Sequence, residues 1–330
     1  MYLLKSILII TILVISSGFT SSSVFAQSDS VPHDEDYCKS FQPYNYNVSI
    51  QVLTIGEIDT KASSYDMNFV LSITSDDVDF TKCPPPSEWI FTNGYVDKTW
   101  GESITPHYYK LNMHGIFHNE MDFRNYPFHE LTLVIKMGPP YPYTIQNTKF
   151  INNENFSGVG FAGEYIAGYK IGEPRIQIFE VTTPFATFPH FMMSIPLSSD
   201  EGMVFLKKIL PVLILGGFGY STYFMSSRIL QDRLTILGTV FVGAIFFHAA
   251  ILLAEIPPVS YLTIADKVMI SIYSAFSFVL VTITLHQRYI NIIEKNEKNH
   301  SLLVAHNIDR KFMGFTLIFA VLIFLVLYLI

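Results

Sequence analysis

The residues best placed to do chemistry share one apolar stretch in the C-terminal half. Thr235, Thr239, Val242, Phe246, Ala249 and Leu253 recur at steps of three and four, the spacing that sets side chains on one helix face. Asp232 stands just before this stretch and Glu255 just after it. Hydroxyl oxygens beside an acidic residue suit a partly hydrated cation, and rings of Val242 and Phe246 would bar ions by dewetting. The stripe has a second use, because small and hydroxyl residues also let helices pack closely in a membrane. Spacing alone does not choose between the two. His248 lies in the same stretch but off the stripe. An ionisable residue there is a functional candidate, although a neutral imidazole bonded to a neighbouring helix carbonyl is the favoured reading. Enzyme chemistry finds no support: there is no zinc-ligand pair at helical spacing, no phosphate loop and no Ser-His-Asp signature. No cofactor or metal is expected.

The elements that must position the stripe are readable from periodicity. The chain has 330 residues, half of them hydrophobic, too many for an ordinary soluble protein with so few charges. Its net charge of -7 argues against nucleic acid, which needs clustered Lys and Arg. Four segments, roughly 205–225, 234–254, 267–286 and 312–330, each supply the ~20 residues of a spanning helix. Arg228 and Arg233 lie between the first two; Arg288, Lys295, Lys298, Arg310 and Lys311 lie between the last two. The second linker carries Glu255 and no basic residue. The positive-inside rule therefore puts the first and third linkers in the cytoplasm and the N-terminal region outside.

Upstream, apolar residues alternate at Val48, Ile50 and Val52, at Met67, Phe69, Leu71 and Ile73, at Leu131, Leu133 and Ile135, and at Ile176 and Ile178. Period two marks half-buried strands. Turn clusters such as Thr92-Asn93-Gly94, Gly138-Pro139-Pro140 and Gly172-Glu173-Pro174 separate them. An all-β sandwich of about 160 to 180 residues follows. Residues 1–26 read as a secretory leader: Lys5, an apolar core over Ile7–Ser16, and a small residue at Ala26. The expected organisation is a leader over 1–26, an extracellular sandwich over 27–203 and a four-helix membrane domain over 204–330. The two cysteines, Cys38 and Cys83, both fall in the exported part, where an oxidising compartment favours a bond between them.

Four motifs lie in register along this plan. They are Tyr126-Pro127-Phe128-His129 within Met121–Lys136, Ile209-Leu210-Pro211, Asp232-Arg233-Leu234-Thr235, and Ile256-Pro257-Pro258-Val259-Ser260-Tyr261 followed by Asp266. Together they resemble the pentameric ligand-gated ion channels, also called the Cys-loop receptor superfamily. The likeness is to the prokaryotic type, which lacks the signature cysteine pair and the long cytoplasmic linker, and it covers essentially everything after residue 44. It implies a symmetric homopentamer in the cell membrane whose second helix lines a pore. Asp232, and Glu255 further out, would then form acidic rings that admit cations. The stretch Arg233–Tyr261 is one residue longer than in the relatives, so the outer register is open by one residue.

The resemblance also implies coupling and sensing. The Tyr126-Pro127-Phe128 loop is expected to rest on Pro257–Tyr261, beside the turn at Asp59-Thr60-Lys61. Relatives pair the Asp of an aromatic-Pro-Phe-Asp core with an Arg twelve residues before the first-helix Pro. Here those positions hold His129 and Ser199, with Asp200 next door, so a polarity-reversed His129–Asp200 pair is expected, and a carboxylate there would raise the His pKa. Ligand sites in the family lie between subunits under the hairpin near Thr183–Pro189. Phe185 and Phe188, with Trp100, Tyr141 and Tyr143, could there form a cage for a cationic amine. Protons are an equal candidate stimulus through His33, His107, His114, His118, His129 and His190. The expected partners are identical subunits, membrane lipid, permeating cations and a small agonist or protons. The competing reading is a membrane-anchored binding module that does not conduct.

Overall fold

The computed structural model describes residues 38–152, 156–160, 166, 168–226, 229–294 and 301–329. The leader over 1–26, His33, Arg228, Lys295 and Lys298 lie outside them. Two β-sheets come first and four long apolar helices follow.

One sheet runs β4 (Gly94–Thr105), β5 (Tyr108–His118), β2 (Ser64–Thr74), β1 (Tyr44–Asp59), β7 (Thr148–Asn152), with β8 (Gly158–Val159) also on β1. The other runs β10 (Arg175–Thr182), β11 (Thr187–Ser199), β6 (Glu130–Gly138), β3 (Ile90–Phe91), with β9 (Tyr169–Ile171) on β11. Alternation puts Val48, Ile50 and Val52 of β1 and Met67, Phe69, Leu71 and Ile73 of β2 wholly out of solvent. Leu131, Leu133 and Ile135 of β6 meet them from the second sheet, beside Phe191, Met193, Ile195 and Leu197 of β11. Each such side chain contributes about 1.5–3 kcal/mol by leaving water. Tyr65 pins the sheets together: its hydroxyl donates to the Val134 carbonyl at 2.8 Å and accepts from the Val134 N–H at 2.7 Å. Burial pushes this phenol up to about 12.

On β10, an edge strand, Ile176 is half-buried against the core as expected, whereas Ile178 stays 38% exposed. Cys38 and Cys83 form a disulfide, with Cα atoms 5.5 Å apart.

The helices are α1 (Glu201–Phe224), α2 (Leu230–Glu255), α3 (Ile264–Glu294) and α4 (Ser301–Leu329). All four contain windows long and apolar enough to cross a membrane, as in a multi-pass membrane protein. Gly219 of α1 lies where a Cβ would come within 2.3 Å of the Phe276 ring of α3, so only glycine permits this close approach. The Tyr223 hydroxyl meets Thr282 and Thr316, each at 2.7 Å, tying α1, α3 and α4. Among its described side chains α4 otherwise leaves most of the apolar ones exposed, which suits a helix that crosses a membrane. The last two helices extend past the apolar segments because a helix leaving the hydrocarbon needs no apolar side chains, only its own hydrogen bonds.

Arg233 departs from its expected place in a solvated linker. It lies inside α2, 1% exposed, and its Nε donates to the Thr222 carbonyl at 2.9 Å. That carbonyl, at the end of α1, also accepts from the Met225 N–H at 3.3 Å, so the guanidinium takes its second lone pair.

The disulfide spans 45 residues of chain, for which the chain-entropy relation gives about 4 kcal/mol. Cys38→Ser, or reduction of the wild type, is expected to lower the unfolding temperature of the sandwich by several degrees in a thermal melt followed by near-ultraviolet circular dichroism. An unchanged melt would contradict this.

Candidate functional site

The sandwich meets the helices where three loops and two helix ends converge. A helix leaves its first four N–H groups and last four carbonyls without internal partners. At the start of α3, Thr263 and Asp266 form a reciprocal capping box. The Thr263 N–H donates to Asp266 Oδ2 at 2.9 Å, and the Asp266 N–H donates to Thr263 Oγ1 at 3.1 Å. The next two orphan donors are satisfied by the sandwich itself. Ile264 N–H donates to the Arg124 carbonyl at 3.1 Å, and Ala265 N–H donates to the Tyr126 carbonyl at 2.9 Å. The Tyr261 hydroxyl accepts from Phe123 N–H at 2.9 Å, while Arg124 lies over the Tyr261 ring at 5.4 Å. At the end of α2, the Thr60 hydroxyl donates to the Glu255 carbonyl. Thr60 belongs to the β1–β2 turn, which Asp59 holds by accepting from the N–H groups of Lys61 and Ala62.

Glu255 is the polar hub of this junction. Its carboxylate pairs with Lys208 of α1 and accepts from the Tyr126 hydroxyl at 3.2 Å. Lys208 also stands over the Tyr126 ring, 4.8 Å from its centre. Burial, then the Glu255 charge, pushes the Tyr126 phenol well above its ordinary value. This changes the role expected for Glu255. A carboxylate neutralised by Lys208 and turned to the sandwich is a poor outer selectivity ring. Lys208 was not singled out from sequence, where it reads as one of two lysines opening an apolar helix; its sole signal is that an ammonium next to a membrane span needs a partner.

Tyr126 is buried, and Pro127 and Phe128 continue the same loop, with a cis bond joining Tyr126 to Pro127. Pro257 is half-buried. His129 and Asp200 do not pair. Asp200 is engaged elsewhere: it accepts from Gly202 and Met203 N–H groups at 3.1 and 3.2 Å as the cap of α1, and it pairs with Lys170 at 3.2 Å. These contacts hold its carboxyl below the usual range, the Met203 N–H first. His129 is 5% exposed and ringed by Phe123, Tyr126 and Tyr169, with both ring nitrogens shut off from solvent. Its pKa is lowered, not raised, by burial and then by the Lys208 charge.

The stripe on α2 divides cleanly from the opposite face. Asp232, Thr235, Thr239, Val242 and Phe246 are all exposed on the protomer, whereas Arg233, Leu237, Val240 and Ala244 are buried against the bundle. Thr235 and Thr239 donate their hydroxyl protons to carbonyls one turn back, both at 2.9 Å. Their outward oxygens are therefore left with acceptor lone pairs, which suit cations. Above Phe247 the helix opens into a π-turn, His248–Leu252. A π-turn holds one extra residue in an α-helix. The buried series resumes at Leu252, and Ile251 is exposed, although uninterrupted α spacing would bury it. By the same offset the stripe continues at Ala250 and Ala254. Ala249 and Leu253 are exposed but stand off its line. His248 also differs from expectation. Its partners are side chains, Asp266 at 3.0 Å and Tyr273 at 3.1 Å, not a backbone carbonyl. The π-turn carries it toward the capped start of α3.

The five aromatic candidates do not converge within a protomer. Tyr141 and Phe185 border one cleft of about 360 Å3. Tyr143 packs inward against Tyr44. Phe188 is half-buried on β11 opposite Val181. Trp100 lies on β4, the far edge of the other sheet, with Lys98 over its ring at 5.8 Å. Aromatic type is visible in a sequence, but the sheet edge on which each falls is not. Among the histidines, His114 is held between Asp97 at 2.6 Å and Asp66 at 3.5 Å, and the Asp97 bond raises its pKa. His107 bonds the Ser75 carbonyl at 2.9 Å, and burial lowers the pKa of His190. His118 ends β5 and is exposed.

Comparison of the chain with protein-family models and with curated proteins returns no match.

Two outcomes follow for the junction. The folded His129 binds its proton more weakly than the unfolded one, so the unfolded state takes up more protons as pH falls below the ordinary histidine value of 6.5. Stability should fall over that window, and His129→Phe should flatten the fall in thermal melts from neutral pH to about two units lower; an unaltered slope would count against it. Second, a double-mutant cycle with Lys208→Gln and Glu255→Gln should give a coupling of about 0.5–1 kcal/mol, reduced because the pair is part-exposed. Strict additivity would show that the pair contributes nothing.

Proposed function

We propose that this chain is one subunit of a homopentameric ligand-gated cation channel in the cell membrane, with its sandwich outside. One observation carries the reading: α2 buries one face in its own bundle and leaves Asp232, Thr235, Thr239, Val242 and Phe246 exposed in a line. Closed rotational symmetry turns such a line into rings. Asp232 rings draw cations to the cytoplasmic mouth, the threonine oxygens ligate them, and the Val242 and Phe246 rings gate by dewetting. Sandwich hydrogen bonds on the ends of α2 and α3 transmit the stimulus.

The agonist reading is a proton or a small ligand. A cage becomes possible only between protomers, where Trp100 on the β4 edge of one subunit faces the Tyr141–Phe185 cleft of the next. The resemblance in the loop Tyr126–His129 and the linker Ile256–Tyr261 supports this arrangement. The alternative, a membrane-anchored binding module, accounts for the sandwich and the spans but gives no reason for an acid and two hydroxyls on the unburied face.

The deciding experiment is voltage-clamp of the purified protein in a planar bilayer while pH and small amines are varied. Cation current is expected. Asp232→Ala should reduce cation-over-anion selectivity. Val242→Ser should ease opening, and a shift of about 1.4 kcal/mol in the gating balance is tenfold in open probability. Absence of current under every stimulus, together with a stoichiometry that leaves no central hole, would sink the channel reading in favour of the anchor.

A further inference from the structure

The buried face of α2 is interrupted at one place. Val240 and Ala244 lead by steps of four to His248, and an uninterrupted α-helix would carry that face on to Ile251 and Glu255. Leu252 and Ile256 are buried instead, while Ile251 and Glu255 are exposed. The outer end is therefore offset by one residue. The π-turn His248–Leu252 supplies the offset, with the Leu253 N–H reaching back five residues to the His248 carbonyl. Such turns are rare inserts in α-helices, so contacts from elsewhere must hold this one.

Those contacts come from α3. His248 is the first residue of the turn. Its Nε2 meets Asp266 at 3.0 Å and its Nδ1 meets the Tyr273 hydroxyl at 3.1 Å. The two side chains of the His248–Asp266 pair are 16% and 14% exposed, so salt screens it little. Asp266 is itself fixed, because its other oxygen accepts from the Thr263 N–H and hydroxyl at 2.9 and 2.8 Å. The Tyr273 hydroxyl also lies 3.4 Å from the Ala244 carbonyl, one turn before the π-turn. Past the turn, Glu255 is anchored to Lys208 and Thr60. The offset is thus bracketed by two anchored residues.

We propose that His248 is a positioning residue for the pore: clasped by Asp266, it holds the π-turn and so decides which side chains ring the outer half of α2. The inference rests on the reading that the α2 line faces water. With the clasp closed, the line runs on through Ala250 and Ala254, and small side chains leave the outer pore wide. With the clasp broken, the turn relaxes to α-helix and Ala249 and Leu253 come onto the line. A ring of leucines then narrows the outer pore. Glu255 turns toward the bundle face and away from Lys208, so the register of α2 and the junction with the sandwich change together.

The test uses the full chain in nanodiscs. Its two native cysteines are bonded to each other, so an introduced cysteine is the one reactive thiol. Cysteine is placed singly at Ala249, Ala250, Leu253 and Ala254, and at Thr235 as a reference on the lower line. The rate of modification by a small charged methanethiosulfonate is read by mass spectrometry. Ala250→Cys and Ala254→Cys should react about tenfold faster than Ala249→Cys and Leu253→Cys. His248→Leu should reverse that order, and His248→Gln, which keeps one donor for Asp266, should retain it. A role in stability alone would change all four rates alike. Deleting Ala249 removes the extra residue, and in that background His248→Leu should leave Ala250→Cys and Ala254→Cys the fastest. The four rates with His248 intact carry the test alone should His248→Leu fail to fold. Equal rates, Ala249→Cys and Leu253→Cys ahead with His248 intact, or an order that His248→Leu leaves unmoved would each overturn the inference. A fast Thr235→Cys in those cases leaves the channel reading standing. An unreactive Thr235→Cys would sink the channel reading and this inference with it.

Discussion

Two helix ends in this protein are finished by the β-sandwich. The start of α3 takes carbonyls from Arg124 and Tyr126, and the end of α2 takes a hydroxyl from Thr60. In water such ends would be solvated at little cost. Beside a membrane each unsatisfied group is expensive, so the sandwich loops become part of the helices' own hydrogen bonding. A loop that moves must carry the helix end with it or leave donors bare. This constraint couples the position of the loops to that of the helix ends. It also explains why the residues gathered there, Tyr126, Tyr261 and Glu255, are large or charged yet precisely partnered across long sequence separations.

The second helix obeys a different constraint, that one face is buried in the bundle and the other is left exposed on the protomer. Arg233, Leu237, Val240 and Ala244 hold it to the bundle. Arg233 does so with a buried charge, which is tolerable because its Nε bonds the Thr222 carbonyl at the end of α1. The free face carries threonines whose protons are already committed to the helix. Only their lone pairs face outward, which biases the face toward cations before any acidic ring is considered.

Much of the architecture was legible in the sequence, for definable reasons. Period-two alternation located β1, β2 and β6, since each buries one face under a second sheet. Apolar length located the four spans. The stripe's lower half was legible because uninterrupted α-helix has a fixed period. The upper half was not, because a π-turn at His248–Leu252 has no local residue signature. Measured against the family the chain resembles, its trace was one surplus residue between Arg233 and Tyr261; one residue of offset brings Ala250 and Ala254, both exposed, toward the line. Polar pairing was the least legible. The Thr263–Asp266 capping box is a short-range pattern open to reading, whereas the Lys208–Glu255 pair joins two helices and depends on their packing.

The fate of the junction charge shows how a local substitution can mislead. In the family this chain resembles, an acid in the loop faces a base at the strand end. This chain has His129 and Ser199 at the two positions, and a pair of reversed polarity looks like the economical solution. It fails on geometry. Asp200 is the first capping residue of α1, and its oxygens are committed to Gly202, Met203 and Lys170. His129 meanwhile sits where desolvation disfavours its charge. The ion pair found at this junction is Lys208 with Glu255, further along α1, where Tyr126 meets the pair by hydrogen bond and ring face. The pair ties α1 to the end of α2 directly, and the sandwich clamps both through the Tyr126 phenol.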